Sequence, residues 1–294
     1  MNDIVVGLGE TLWDMFPGEK KIGGAPANFA YHVSQFGLDS RVVSAVGNDE
    51  LGDEILADFD VKHLRYHIAR VPFPTGRVQV TLDEQGIARY EFMANAAWDN
   101  IPFTPELEAL ACRTRCVCFG SLAQRGEVSR ATINRFLDAM PEGEGRYRVF
   151  DVNLRQNFYS EEMLCASFSR CNVLKLNDEE LMQISRMFGY PWIDLNEKCR
   201  RLLEEYDLKI LILTCGIRGS YVFTDRTMSY FTTHRVEVAD TVGAGDSFTA
   251  AFCASLLKGL PLGEAHRLAV EVSAYVCTRQ GAMPELSPEL SGRL

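Results

Sequence analysis

Short apolar runs, each followed by a helical pattern, recur along this chain and leave few folds open to it. Ile4-Val-Val-Gly-Leu-Gly9, Cys116-Val-Cys-Phe119, Arg148-Val-Phe-Asp151, Val173-Leu-Lys-Leu176 and Ile210-Leu-Ile-Leu213 are the clearest. Near-continuous apolar character predicts strands buried on both faces of a parallel sheet. Between them stand helix signals. Pro26 lies near the first turn of a helix that Gly37 closes, and Pro141 stops another that runs from Val128 to Met140. Asn177-Asp-Glu-Glu180 opens a third, and Ser247 to Leu257 is an apolar fourth. This alternation predicts an α/β fold with a doubly wound, mostly parallel sheet, and Tyr221-Val-Phe223 begins an antiparallel edge. Ligands of such sheets bind beyond the carboxyl ends of the strands.

The 294 residues are 47% hydrophobic, enough to bury the core of one large α/β domain. No repeat, linker or low-complexity tract divides residues 1–294. A net charge of −10 argues against a nucleic-acid surface, so an anionic ligand must be met by local dipoles and a few cations. No window is long and apolar enough for a membrane span, and the start, Met1-Asn-Asp-Ile4, has no basic leader pattern. The nine cysteines include no C-x-x-C pair or zinc spacing, which predicts reduced thiols and a cytoplasmic setting.

From Arg70 to Trp98 the texture changes. Thr75–Leu82 and Ile87–Phe92 alternate polar and apolar about Asp83-Glu-Gln-Gly86, the pattern of a hairpin with one solvated face. We read residues of about 70–98, with part of 11–22, as a small β lid. Tyr90, Phe92 and Trp98 are packing residues, one or two of them facing a ligand.

Asp240-Thr-Val-Gly-Ala-Gly-Asp-Ser-Phe248 carries the chemistry. It follows a strand-like Val236-Glu-Val238. Gly243, Ala244 and Gly245 present N–H groups at a helix start, where the macrodipole favours an anion. Asp246 stands beside that cradle, and a carboxylate kept ionised there suits a general base. A donor cradle with an adjacent base is what phosphoryl transfer to a hydroxyl requires. The plainer alternative is an aspartate capping its own helix. Other routes fail on spacing. Gly7-x-Gly9 has Leu12 where a dinucleotide fingerprint needs glycine, and no G-x-x-x-x-G-K-[ST] occurs.

Further candidates fall near strand ends. Asp14 is an acid just past the first strand. Gly23-Gly24-Ala-Pro-Ala-Asn28 offers bare backbone and an amide, which suits a polyol. Asp151-x-Asn153-x-Arg155 supplies an amide and a guanidinium. Asn177-x-x-Glu180 reads equally as an N-cap with a first-turn acid, and Thr214-x-Gly216-x-x-Gly219 as a glycine-rich turn.

Together these motifs closely resemble the ribokinase-like carbohydrate kinases, over nearly the whole chain. The 240–248 nonapeptide resembles the family's C-terminal signature, and Gly23 to Gly52 its N-terminal one. The resemblance implies a Rossmann-like core and an ATP-dependent sugar kinase. It makes Asp246 the base, Gly243, Ala244 and Gly245 the anion cradle, and Arg155 a neighbour of the transferred phosphate. Asp14, Gly23, Gly24, Asn28 and Asn153 would bind sugar, and Thr214, Gly216 and Gly219 nucleotide. Asn177 and Glu180 would organise Mg2+ through water. Asp240, Val242 and Gly281 would offer backbone oxygens to a monovalent cation such as K+. Gly9-Glu10, Trp13-Asp14 and Ala96-Ala-Trp98-Asp99 look most like fructokinases, so fructose is the expected substrate. A 2-keto-3-deoxygluconate kinase, with Arg89 as the cationic partner, is the alternative within the fold. A catalytically silent sugar-binding regulator is the alternative outside it. Related kinases pair their lids, which implies a homodimer.

Overall fold

The computed structural model describes residues 4–82 and 88–294. Its strands are β1 (Ile4–Leu8), β2 (Leu12–Phe16), β3 (Glu19–Gly23), β4 (Asp39–Gly47), β5 (Arg65–Val71), β6 (Arg77–Leu82) and β7 (Ala88–Phe92), then β8 (Thr114–Gly120), β9 (Tyr147–Asp151), β10 (Val173–Asn177), β11 (Ile210–Thr214), β12 (Ser220–Phe223) and β13 (Met228–Phe231). The longer helices are α1 (Ala25–Ser34), α2 (Glu50–Val61), α3 (Pro105–Ala111), α4 (Glu127–Ala139), α5 (Glu161–Phe168), α6 (Asp178–Met187), α7 (Leu195–Glu205), α8 (Ala244–Leu257) and α9 (Leu262–Cys277).

Nine strands form one sheet in the order β13-β12-β11-β10-β9-β8-β1-β4-β5. From β11 to β5 every pairing is parallel, while β12 and β13 are antiparallel. The fold is therefore the doubly wound, mostly parallel α/β sheet that the alternating runs predict, as the ribokinase-like resemblance implies. Period-two geometry sorts the strand side chains between two faces. Val6, Val117, Phe119, Phe150, Leu174 and Leu211 meet the apolar faces of α3 to α7. Val5, Cys116, Cys118, Val149, Val173 and Ile212 meet those of α1, α8 and α9. Strand order reverses at β1, which lies between β4 and β8. That reversal opens a crevice at the carboxyl ends, where the topology favours a ligand.

A second sheet, β3-β2-β6-β7, joins two hairpins through the parallel pair β2–β6. On β6, Arg77, Gln79 and Thr81 are exposed while Val78 and Val80 are buried, so one face rests on the body. The root of β6 is clamped: Asp49 accepts from the Thr75 N–H (2.8 Å) and hydroxyl (2.5 Å), and Arg125 binds Asp99 beside Trp98. Asp83-Glu-Gln-Gly86 and the Arg89 and Tyr90 side chains lie outside the described residues.

Two local expectations are corrected. Val236-Glu-Val238 is exposed and pairs with no strand among the described residues, so its alternation has no partner there to make a ladder. The fourth helix starts at Ala244 rather than Ser247, so Asp246 belongs to its first turn. Trp98 is a core residue, 1% exposed. All nine cysteines are free thiols, and no cluster of metal-ligating side chains occurs among the described residues. No helix of the described residues is long and apolar enough to cross a membrane.

Candidate active site

Gly243 precedes α8 as its N-cap, with a φ of 77° that is open to glycine at little cost. A Cβ there would also sit 2.6 Å from the Ala282 carbonyl oxygen. No side chain caps the helix. The N–H groups of Gly243, Gly245 and Asp246 donate to no protein acceptor among the described residues, whereas Ala244 donates to the Thr241 carbonyl at 3.3 Å. Three N–H groups at this helix start thus stay without an acceptor among the described residues, while the Ala244 N–H is spent on its own turn.

Asp246 does not cap its helix. Its Oδ2 accepts from Asn28 Nδ2 at 2.7 Å, which joins the first turns of α1 and α8. Asn28 is buried, and its Oδ1 has no partner. Burial of the Asp246 carboxyl, with Asp151 nearby, pushes its pKa up to about 6. The Asn28 hydrogen bond, Lys175 and Arg155 oppose that rise. The cradle therefore does not hold this acid at an ordinary value, yet at pH 7 the carboxylate still predominates. A base poised near the working pH transfers protons efficiently.

Two more carboxyls converge on the same end. Burial pushes Glu10 up to about 7, with Arg155 and backbone N–H groups opposing. Its Oε2 is buried without a partner. Asp14 rises to about 6 through burial, again opposed by Arg155. Gly23 lies across from it, since a Cβ there would be 2.6 Å from Asp14 Oδ2. At Gly24, φ is 115° and a Cβ would strike the Glu10 carbonyl oxygen at 2.4 Å. Both glycines let the chain turn tightly from β3 into α1. The structure thus brings together Asp14, Gly23, Gly24, Asn28 and Asp246. Arg155 is exposed and donates to the carbonyl of its neighbour Leu154 at 3.0 Å, and its charge reaches all three acids. Asn153, in the left-handed region (φ 46°), accepts from Ser121 through its carbonyl.

Asn177 and Glu180 form a capping box. Glu180 N–H donates to Asn177 Oδ1 at 2.9 Å, and Asn177 N–H donates to Glu180 Oε2 at 2.8 Å. Glu180 Oε1 accepts from Leu154 N–H at 2.9 Å, tying the first turn of α6 to the segment after β9. Each oxygen keeps a second lone pair, so the pair suits the waters of a hydrated cation better than direct ligation. Thr214 is the register partner of Asn177 on the next strand, with Gly216 (φ 54°) and Gly219 (φ 110°) shaping the turn beyond. Asp240 joins the other two candidate cation residues, accepting from Val242 N–H and Gly281 N–H, both at 3.1 Å.

Sequence reasoning missed one buried group. Lys175 Nζ donates to Asp151 Oδ1 at 2.9 Å directly beneath α8. The available signal was a lone cation inside an otherwise apolar strand. Glu10, noted only within a motif, belongs to the same cluster.

Comparison with known proteins agrees with this geometry. The profile of the pfkB family carbohydrate kinases matches residues 8–289. A fructokinase of Salmonella typhimurium is 31% identical over 97% of both chains. An ATP-dependent 6-phosphofructokinase of Thermoanaerobacterium thermosaccharolyticum is 28% identical over 96% of this chain and 90% of its own. Among solved structures, a 2-dehydro-3-deoxygluconokinase of Thermotoga maritima superposes with a TM-score of 0.85 at 21% identity, covering 100% of this chain and 99% of its own. A putative ribokinase II of Escherichia coli, in complex with ATP and Mg2+, gives 0.82 at 21% identity, covering 99% and 98%. A family match over almost the full length identifies the chain: it is a member of the pfkB family of carbohydrate kinases.

Proposed function

We propose that this kinase transfers the γ-phosphoryl group of ATP to a hydroxyl of a neutral sugar, with the 6-hydroxyl of fructose as the favoured acceptor. The observation that carries the reading is Asp246, held by Asn28 at the head of a helix where the Gly243, Gly245 and Asp246 N–H groups have no acceptor among the described residues. Asp246 takes the hydroxyl proton as the sugar oxygen bonds to the γ-phosphorus. The bond from that phosphorus to the bridging oxygen breaks, and its electron pair leaves with ADP. The Gly243 and Gly245 amides, with the Ala244 amide in part, and the Arg155 guanidinium face the charge on the phosphoryl group. Thr214, Gly216 and Gly219 border the nucleotide, and Asn153 the sugar. Mg2+ neutralises nucleotide phosphate charge when bound, and Asn177 and Glu180 are the residues that would hold its waters. The Asp240 turn, with Val242 and Gly281, is the place for an activating K+. The small sheet is the lid, and its uncovered edges suit pairing in a homodimer.

A neutral substrate is favoured by the charges at the sugar end. Among the described residues, Glu10, Asp14 and Asp246 converge there, opposed by the exposed guanidinium of Arg155 and, at Asp246, by the buried Lys175. A keto acid or a sugar phosphate would add another negative charge to that cluster. A coupled kinase assay over fructose, ribose, glucose, tagatose, fructose 6-phosphate and 2-keto-3-deoxygluconate tests the reading. Fructose should give the highest kcat/KM. Preference for an anionic substrate would overturn the sugar assignment, and ATP turnover that no sugar stimulates would overturn catalysis of this class.

A further inference from the structure

Lys175 is buried in the middle of the sheet, where a charge is costly unless paired. Its Nζ donates to Asp151 Oδ1 at 2.9 Å across the β9–β10 pair. The single hydroxyl proton of Thr249 is shared between the other carboxylate oxygen, Asp151 Oδ2, at 3.3 Å and the Gly245 carbonyl at 3.0 Å. Two strands are thereby latched to the first turn of α8, the turn that bears Gly245 and Asp246. The ammonium reaches further still. A Cβ on Gly245 would lie 3.0 Å from Lys175 Nζ, so this cation lies directly under the second glycine of the motif. Burial disfavours the ammonium, but Asp151, Glu180 and Asp246 together outweigh it and keep it charged.

We propose that Lys175 is a positioning residue for phosphoryl transfer, which together with Asp151 and Thr249 fixes the height and tilt of the Gly243–Asp246 turn and sets a buried positive charge behind it. The glycine at 245 is then explained by what lies beneath it as well as by what it faces. A mere core ion pair would explain the strand contact, but it would need neither Thr249 nor the approach to Gly245. This proposal rests on the phosphoryl-transfer reading above.

The test uses the full chain and the acceptor that the substrate screen selects. A wild type inactive on every acceptor would count against the phosphoryl-transfer reading itself, and the proposal would fall with it. In an active enzyme, Lys175→Met removes the ammonium and keeps the length. It should lower kcat about 10²-fold, as loss of one preorganised electrostatic contact does. The sugar KM should change less than threefold. The groups facing Asp246 are Asp151 from β9, Arg155 beyond it, Glu10 after β1, Asn28 from α1 and Lys175 from β10. With Lys175 gone and Asp151 no longer neutralised, the acid limb of kcat/KM should move to higher pH. Because one unpaired buried charge can unfold the protein, Lys175→Met with Asp151→Asn is the paired control. It should recover thermal stability and leave kcat low. A folded single variant with near-wild-type kcat and an unmoved acid limb would overturn the proposal. So would a double variant that recovers full turnover, since the pair would then serve folding alone.

Discussion

Asn28 Nδ2 lies 2.7 Å from Asp246 Oδ2, joining two helix starts 218 positions apart in sequence. One hydrogen bond thus links the glycine-turned entrance of α1 to the anion cradle of α8. It also leaves Asp246 oriented by an amide rather than by its own helix.

Asp246→Asn tests the base directly. Asparagine keeps the size and can still pair with Asn28, but it accepts no proton. General base catalysis is worth roughly 10²–10⁴-fold, so kcat should fall by about that much while the protein stays folded. Removing a negative charge beside the γ-phosphate should leave ATP affinity unchanged or tighter. Steady-state kinetics with calorimetric ATP binding and a thermal melt check all three. A folded, ATP-binding variant with most of its turnover would move the base elsewhere.

The Asn28 bond makes a second, signed prediction. That bond favours the ionised form of Asp246, so Asn28→Ala should raise the carboxyl above its value of about 6. The acid limb of the kcat/KM profile should then shift to higher pH. Sugar KM should rise as well, because the amide at the mouth of α1 is lost. An unchanged pH profile would mean that the contact does not tune the base.

Much of this was readable from the chain alone. The strand runs, the Gly23–Asn28 turn and the Gly243–Asp246 cradle are local patterns, so spacing and residue type were enough. What was missed depends on long-range proximity. Lys175 read as one more strand residue because its partner Asp151 is 24 positions away, and Thr249 meets Asp151 over 98. Glu10 likewise acquires its shifted acidity only when α1 and α8 close over it. Val236-Glu-Val238 misled for the same reason in reverse: alternation is a property of the segment, but a strand needs a neighbour.

Gly243→Ala probes the cradle without touching the base. Alanine at φ 77° is strained, and its methyl would meet the Ala282 carbonyl oxygen at 2.6 Å. Backbone strain of this kind costs about 1–3 kcal/mol. The melting temperature should drop, and ATP KM should rise more than sugar KM because the turn faces the phosphates. Equal changes in both KM values would show that the turn serves only the fold.

Lid pairing is tested by size. The small sheet ends in β3 and β7, edges that no strand of the same chain covers among the described residues. A homodimer should be seen by light scattering at micromolar concentration. A monomer under those conditions would remove the lid-pairing expectation.

Glu10→Gln separates a buried acid's cost to stability from its service to the substrate. Glu10 is 2% exposed, and burial raises its pKa from 4.5 to about 7 in the folded chain. The folded protein therefore binds a proton that the unfolded chain releases between those two values. The sign follows from linkage: this group's contribution is fully present below about pH 4.5 and is lost as pH rises through about 7. At pH 8 the ionised form costs on the order of 3 kcal/mol, at 1.36 kcal/mol per unit. Glutamine is neutral at every pH and can still accept the backbone N–H bonds. Glu10→Gln should accordingly stabilise the ligand-free protein at pH 8, with the gain shrinking toward pH 5. Urea unfolding at both values measures this. Equal effects at pH 5 and pH 8 would place the carboxyl in an ordinary, solvated setting. If the buried, unpartnered Oε2 serves the sugar, the same variant should also raise sugar KM while ATP KM stays put.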